Sequence, residues 1–299
     1  MKNLDAQIEA CRISARARDY GLSLIREGVR LYDVAEAVEK KIRDMGGEPA
    51  FPVNLSLNRQ AAHYTPFPGD SLVFVRGDVV KIDVGAHVDG YIGDTAATVE
   101  VGSGRWISLI KSAERALEAA IEVVRPGVSV GDIGRVIEKT VVSLGFQPVR
   151  NLSGHGLRRY ELHADPSIPN FFDTTATDVL AEGDVVAIEP FATNGVGLIE
   201  NSRGGNIFHL LRERTPRNRS DLAVYEVIVE KHRYFPFASR WLVDETGLSW
   251  AEVEKSLRRL VRLGVVMEYP ILVEKSGGIV SQKEHTMLVT EDGVEVLTR

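Results

Sequence analysis

The sequence has a single cysteine, Cys11, among 299 residues, so an intramolecular disulfide is excluded. Its first ten residues, MKNLDAQIEA, have no apolar segment of the kind that begins a secretory signal. No apolar run approaches the roughly 20 residues that a helix needs to cross a bilayer. The net charge of -6 gives no general attraction to nucleic acid or to anionic membranes. We therefore expect a soluble, cytoplasmic protein.

Hydrophobic residues make up 44% of the chain and charged residues 26%, which is typical of globular proteins with a sizeable core. The length suits one large domain or two ordinary ones. Apolar residues recur at helical spacing through the first forty-odd positions, and Gly28 and Gly46 punctuate this segment. The chain is therefore expected to begin with helices.

A repeat relates two stretches of the chain. EGVRLYDVAEAVEKKIRDMG at 27–46 resembles PGVSVGDIGRVIEKTVVSLG at 126–145, and an NLS tripeptide follows each copy. GDVVKID at 77–83 then matches GDVVAIE at 183–189. The same features in the same order indicate a duplicated α+β unit. Duplicated halves commonly pack about a pseudo-twofold axis and form a site between them.

Residues 209–275 depart from this repeat. The pattern predicts a strand at 223–229, a helix at 237–245, a turn at Gly247, a helix at 249–263 and a strand at 265–273. Ser249 and Glu252 have the spacing of a capping box at the start of the second helix. We interpret 209–275 as an inserted helical subdomain that resembles a winged helix.

Each GDVV strand ends in a carboxylate, Asp83 in the first copy and Glu189 in the second. Duplication would bring the two together, and a buried acid needs a partner. DVGAHVDGYIGD reads as a hairpin that turns at Asp89-Gly90, and this predicts that Asp83 and Asp94 are cross-strand neighbours. Carboxylates this close require a cation or a shared proton. The alternative is a pair of solvent-facing aspartates on an edge strand.

Two further residues could join this cluster. His155 lies in a predicted glycine turn, SGHGL, whose two glycines permit close backbone approach and unusual dihedral angles. In IVSQKEHTMLV, strand alternation places Glu284 and His285 on opposite faces, so only one of them can serve the site. Carboxylates with one imidazole suit Mn(II), Fe(II), Co(II) or Zn(II). Two such ions could activate a water for amide or ester hydrolysis.

With these residues in view, the sequence resembles the superfamily of methionine aminopeptidases and prolidases. The resemblance rests on Asp, Asp, His, Glu and Glu in the contexts KIDVG, GDTA, SGHG, IEPF and KEHT, and it covers essentially the whole chain. It implies the duplicated pita-bread fold, with halves at about 1–105 and 106–208, C-terminal strands at 276–299 and the insertion at 209–275. SLNRQAAHYTP and the insertion resemble the type II methionine aminopeptidases, and the short N-terminus, without a long charged extension, is similar to archaeal members.

The resemblance implies roles for the individual residues. Asp83 would bind one of two divalent ions, Asp94 and Glu284 would bridge both, and His155 and Glu189 would hold the second. Glu189 would also take the proton from the attacking water. The implied reaction is removal of the initiator methionine from nascent chains. We expect a monomer with the ribosome as a candidate further partner, and the charge balance gives no reason to expect nucleic acid or a membrane as one.

The resemblance also implies substrate contacts. His63 would bond near the scissile amide, and His163 would help to stabilise the oxyanion. Phe51 and Leu162 match the positions of the methionine pocket. Weaker candidates for the pocket are Tyr225 and Phe208, and we interpret His87, His209 and His232 as structural.

Two alternatives stay open at this stage. A proline dipeptidase of the same fold would share all five ligands, although SLNRQAAHYTP and the insertion argue against it. A non-catalytic protein that binds nucleic acid or protein is suggested by Lys255, Arg258, Arg259 and Arg262 on one predicted helix. However, residues 209–275 hold 12 Lys and Arg against 10 Asp and Glu, which is far from a strongly basic surface.

Overall fold

The computed structural model, which describes residues 3–299, begins with two similar series of elements, each with two helices followed by strands. The first series is α1 (Leu4–Leu24), α2 (Leu31–Asp44), β1 (Glu48–Pro49), β2 (Asn54–Leu57), β3 (Gln60–Ala62), β4 (Val79–Val88) and β5 (Tyr91–Glu100). The second is α3 (Ile107–Val123), α4 (Val130–Ser143), β6 (Gln147–Pro148), β7 (Ser153–Arg158), β8 (Glu161–Pro169), β9 (Val185–Ile188) and β10 (Phe191–Thr193).

The remaining elements follow the second series. They are β11 (Ile199–Leu210), α5 (Arg219–Lys231), β12 (Phe237–Ala238), α6 (Trp241–Thr246), α7 (Trp250–Arg262), β13 (Val266–Glu274), β14 (Val280–Gln282), β15 (His285–Val289) and β16 (Val294–Val296). The strands form four sheets, in the orders β1-β4-β2 with β5 paired to β4, β14-β10-β6, β12-β11-β13-β3 and β16-β15-β9-β7-β8.

The sequence repeat corresponds to a structural one. Helices α2 and α4 both have 14 residues and occupy matching places in the two copies. After each helix a short strand pairs antiparallel with a later strand, Pro49 opposite Ala86 in the first half and Pro148 opposite Ala192 in the second. This agreement in register supports the predicted pseudo-twofold fold.

Each half has its own apolar core. Leu31, Val38 and Ile82 belong to the core of the first half, where α1 and α2 pack on β4. Leu117, Ile137 and Val186 belong to the core of the second half, beneath α3 and α4. Because the helices bury their apolar faces against one side of the sheets, the opposite side is free to carry polar groups.

A third core lies within the region predicted to be an insertion. It joins α5, α6 and α7 to one end of β11 and β13, and includes Val224, Leu242, Val253 and Leu260. Strands β11 and β13 run from this core into the rest of the chain, where β13 pairs with β3. The limits of the insertion at 209–275 therefore stay a prediction.

Two local predictions in this region were wrong. The segment 223–229 belongs to helix α5, which begins after Asn218, whose side chain accepts hydrogen bonds from the N–H groups of Ser220 and Asp221. Its β-branched residues favour a strand, but the N-cap and packing against α7 decide for a helix. The helix predicted from 237 begins only at Trp241. In contrast, the capping box of Ser249 is present.

Within residues 3–299, none of the helices combines the length and apolar character required to cross a membrane.

Candidate metal and peptide site

The hairpin of β4 and β5 carries the first two carboxylates of the site. Asp89 and Gly90 form its turn with φ values of 52° and 83°, as the sequence predicted. The predicted pairing of Asp83 with Asp94 was wrong by two residues: Asp83 lies opposite Ala96, and Asp94 lies opposite Gly85. The two aspartates are diagonal neighbours on one face, a separation that carboxylate side chains can still span.

Two glutamates approach this hairpin from the second half. Glu189 directly follows β9, and Glu284 directly precedes β15, which pairs with β9 so that His285 lies opposite Ile188. The Glu284 N–H donates to Ala96 O at 3.0 Å, and Thr286 exchanges hydrogen bonds with the backbone of Asp94 at 2.8 Å. These bonds hold β15 against β5, and thus Glu284 beside Asp94.

His285 does not share this site. Its ring nitrogen Nδ1 lies 2.9 Å from Thr298 Oγ1, and the side chain is not among those that line the cavity described below. The strand alternation predicted from the sequence therefore separates Glu284 from His285 correctly.

His155 lies in strand β7, between β8 and β9, and not in the predicted turn. The flanking glycines permit close backbone approach, as predicted: a Cβ on Gly154 would lie 2.3 Å from Ala187 O, and one on Gly156 would lie 2.3 Å from Asp165 O. Neither of these two glycines has a positive φ. His155 Nε2 is 3.8 Å from Asp94 Oδ2 and 4.0 Å from Glu189 Oε1.

Burial and mutual repulsion dominate the electrostatics of this cluster. Burial raises the pKa of Asp83 to about 7. Burial, together with the charges of the neighbouring carboxylates, raises the pKa of Asp94, Glu189 and Glu284 well above the ordinary range. Burial and the nearby His163 lower the pKa of His155 to about 3, which keeps its imidazole neutral and able to act as a ligand.

The donor atoms fit divalent cations. Asp94, His155 and Glu284 each offer a ligand atom within 4.8 Å of the others. Among the described residues, the buried oxygens Asp83 Oδ1, Asp94 Oδ1 and Glu284 Oε2 have no hydrogen-bond partner. Buried charged oxygens without partners are costly, and a cation would satisfy them. Oxygen ligands with one imidazole match the metal types that the sequence predicted.

Sequence reasoning missed Gln282, whose amide connects the two halves. Gln282 Nε2 donates to Asp83 Oδ2 at 3.3 Å and to Glu189 Oε2 at 3.1 Å. The side chain is 1% exposed. Its position two residues before Glu284 on an alternating strand could have indicated that it faces the same site.

His63 reaches the site from the loop after β3. Its φ of 68° is left-handed, and its N–H donates to Asn54 Oδ1 at 2.7 Å. Its Nδ1 lies 3.2 Å from the carbonyl of Pro270, an acceptor only, so Nδ1 carries the proton and Nε2 is left as an acceptor. Burial lowers the pKa of His63 to about 4, so the ring is neutral.

His163 lies in strand β8 and packs against His155. The two rings meet edge to face with centroids 4.7 Å apart. Burial, together with the nearby His209, lowers the pKa of His163. Its neutral ring therefore retains one N–H donor beside the metal-ligand cluster.

The metal-ligand cluster, His63 and His163 share one cavity of about 250 Å³ with apolar residues. Phe51 and Leu162, the two residues predicted for a methionine pocket, line it. Phe208 and Tyr225 do not, because both belong to the core of α5, α6 and α7. Further lining residues that sequence reasoning did not identify are Asn54, Ala62, Asn151, Leu152, Ser153, Phe191, Ile207, Pro236, Tyr269 and Leu272.

The three remaining histidines lie outside this lining. His87 stacks on Phe235 with ring centroids 4.4 Å apart. His232 bonds Glu245 at 2.8 Å and packs on Phe237 in the third core. His209 Nδ1 has no partner within residues 3–299.

Comparison with known proteins agrees with this site. The model of metallopeptidase family M24 matches residues 6–291. A methionine aminopeptidase of Methanocaldococcus jannaschii is 45% identical over 98% of this chain and 97% of its own length. One from Archaeoglobus fulgidus is 46% identical over the same shares. The crystal structure of a Thermotoga maritima methionine aminopeptidase superposes with a TM-score of 0.74 at 26% identity and covers 100% of this chain and 97% of that one. The chain therefore belongs to metallopeptidase family M24 and has its pita-bread fold.

Proposed function

We propose that this chain is a methionine aminopeptidase that removes the initiator methionine from newly made proteins. The observation that carries the proposal is the shared cavity, in which buried carboxylates and His155 meet His63, His163 and a small apolar pocket. The similarity of almost the whole chain to methionine aminopeptidases supports the same activity. If the chain were instead a prolidase, we would expect its sequence to be as similar to prolidases as it is to methionine aminopeptidases.

Asp83, Asp94, His155, Glu189 and Glu284 would hold two divalent ions, for which Co²⁺, Mn²⁺, Fe²⁺ and Zn²⁺ are the candidates. When bound, such ions supply Lewis acidity and lower the pKa of water. Gln282 holds Asp83 and Glu189 in place for this task through its amide N–H groups. Partners of this kind fix the orientation of ligands and strengthen metal binding.

The chain itself supplies the proton transfers and hydrogen bonds. Glu189 acts as the base and takes up the proton that water loses as it attacks the peptide carbonyl. His63 accepts a hydrogen bond at Nε2 from the scissile amide, because its Nδ1 is bonded to Pro270. His163 donates an N–H to the oxygen on which negative charge develops.

The apolar part of the cavity selects the substrate. Phe51 and Leu162 offer the walls that a methionine side chain requires, and their cluster with Phe235 keeps them in position. A small pocket next to the carboxylates accommodates one side chain together with the free amine of the same residue. This arrangement favours an exopeptidase that acts on the first residue of a chain.

The proposal is tested with purified protein and a Met-Ala-Ser peptide. We expect D94A and E284A to lose metal occupancy and nearly all turnover. H63A should keep its metal and lose most of its rate, by about 10²-fold or more. Calorimetric titration with Mn²⁺ measures metal binding, and release of free methionine measures turnover.

An Xaa-Pro dipeptide is the control substrate. Cleavage of that dipeptide alone would identify a prolidase and refute the proposal. Loss of metal in H63A would show that its assignment is wrong.

We also propose partners and location. Nascent polypeptides with an N-terminal methionine are the substrates, which places the enzyme in the cytoplasm, as a monomer working near the ribosome. We do not expect nucleic acid to be a partner, because the basic residues of α7 are partly paired within the chain. Of the four basic residues on α7, Arg258 is paired with Glu254 and Arg259 with Asp221, so half of their charge is neutralised within the chain.

A further inference from the structure

Arg240, at the start of α6, is buried far more than arginines usually are. It is 2% exposed. Its Nε donates to Glu36 Oε1 at 2.7 Å, and its Nη1 donates to Thr65 Oγ1 at 2.8 Å and to Pro66 O at 3.1 Å. Its Nη2 donates to Glu39 Oε1. A side chain of the proposed insertion is thus bonded wholly to α2 and to the loop that carries His63.

Glu39, on α2, completes the network from the other side. It is 1% exposed, and besides Arg240 it accepts the indole N–H of Trp241 at 2.7 Å. Its Oε1 also accepts the N–H of Val53 at 3.0 Å. One buried carboxylate therefore links α6 to the segment at Val53, directly before Asn54.

The segments held by this network lie on both sides of His63. Asn54 accepts the N–H of His63, and Thr65 donates its hydroxyl to Val53 O at 2.9 Å. His63 has a φ of 68°, a conformation that non-glycine residues keep only when their surroundings hold them in it. Arg240 supplies that restraint on one flank through Thr65 and on the other through Glu39.

We propose that Arg240 is a positioning residue, through which the helical insertion holds the His63 loop in its active conformation. Arg240 does not line the cavity, so it acts on the reaction only through the segments that it holds around His63. The proposal rests on the proposed function of His63, but the restraint itself can be measured without any reaction. The planar fork of arginine is required because a lysine could not reach these acceptors together.

The test compares R240K with a matched control, R259K. Arg259 also forms a forked pair with a buried carboxylate, since its Nε lies 2.9 Å and 2.7 Å from the two oxygens of Asp221. That pair lies between α5 and α7 and does not contact the His63 loop. We expect R240K to lower kcat by about tenfold, because a catalytic group is misplaced, and to leave the Mn²⁺ affinity unchanged. R259K should change kcat by less than about twofold.

A double-mutant cycle tests whether the effect passes through His63. In the H63A background, R240K should cause no further loss of rate, because the group that it positions is gone. If R240K slows H63A as much as it slows the wild type, the proposal is refuted.

Histidine NMR of the zinc-loaded enzyme supplies the readout that is independent of catalysis. The chain has 7 histidines, and H63A identifies the signal of His63. This signal should move in R240K and stay in place in R259K; an unmoved signal in R240K refutes the proposal. If H63A retains its full rate, the proposed role of His63 fails while this measurement still decides the role of Arg240. Should R240K not fold, T65V removes one of its acceptors and takes its place in both tests.

Discussion

At the scale of single residues, Gln282 offers the clearest test of how residues other than the ligands support metal binding. Substitution Gln282→Leu keeps the size of the side chain but removes the donors to Asp83 and Glu189. We expect metal affinity to fall by about 10- to 100-fold, the usual cost of losing a partner that orients ligands. Calorimetric titration of the chelator-treated protein with Mn²⁺ measures the change.

Gln7→Leu is the control for that experiment. Gln7 is 3% exposed and donates to Ile92 O at 2.5 Å, but it does not contact the carboxylates. Q7L should lower the free energy of unfolding and leave Mn²⁺ affinity unchanged. Equal metal affinities for Q282L and Q7L would contradict the role given to Gln282.

His87 predicts a pH dependence of stability. Burial lowers its pKa to about 4, whereas an unfolded histidine titrates near 6.5. Between these values the unfolded chain binds a proton that the folded chain excludes, so the free energy of unfolding falls as the pH is lowered through this window. H87F keeps the stacking on Phe235 without a titratable group. Urea unfolding at several pH values should show a shallower decline for H87F; an identical slope would contradict this account.

The residues of the site differ in how well the sequence reveals them. Asp83 and Glu189 were predictable because a charge after an apolar strand has a cost that must be offset. His63, His163, Phe51 and Leu162 were found by family resemblance, since spacing alone gives them no common place. For Gln282 the only signal was its spacing from Glu284, and Arg240 had none, because the importance of both depends on contacts between segments far apart in the sequence.

At the scale of elements, helix α1 limits how the β4–β5 hairpin can be altered. A Cβ on Gly93 would lie 2.5 Å from Cys11 Cα, so G93A would force α1 away from β5 next to Asp94. We expect a loss of about 1–3 kcal/mol in the free energy of unfolding, as in overpacked cores, together with weaker binding of Mn²⁺. Denaturant unfolding and calorimetric titration measure the two effects.

Gly28→Ala serves as the control for G93A. Gly28 has a φ of 82°, and nothing lies within 4 Å of the position of its added Cβ. G28A should therefore cost about 1 kcal/mol from backbone strain alone, without affecting Mn²⁺ affinity. A G93A protein with normal metal affinity would show that α1 does not position Asp94.

Elements were predicted well where local signals agreed and badly where distant packing decided. The turn of Asp89 and Gly90 was correct, but the register that follows from it was miscounted, so Asp94 was placed opposite the wrong residue. Segment 223–229 has strand-forming residues, yet burial of Val224 and Ile228 against α7 makes it a helix. The position of an element in the fold therefore overrode its intrinsic preference.

At the scale of the whole molecule, the carboxylate cluster should oppose folding when no metal is bound. Glu284→Gln removes one charge from the cluster while keeping its shape. At pH 8 with chelator, we expect a higher Tm for E284Q than for the wild type, by about 2 °C for each kcal/mol of relieved repulsion. Added Mn²⁺ should reverse the order, since ligand binding stabilises the better binder. Scanning calorimetry decides this, and a lower Tm for chelated E284Q would contradict it.

The duplicated architecture has a consequence for the order in which the enzyme is assembled. Asp83 and Asp94 come from the first half, His155 and Glu189 from the second, and Glu284 only after the proposed insertion. A chain fragment that stops before β15 lacks the last ligand and also lacks Met287 and Val289 of the second core. Formation of the strand pair β9–β15, which joins segments far apart in the sequence, would therefore complete the second core and the ligand set in one step.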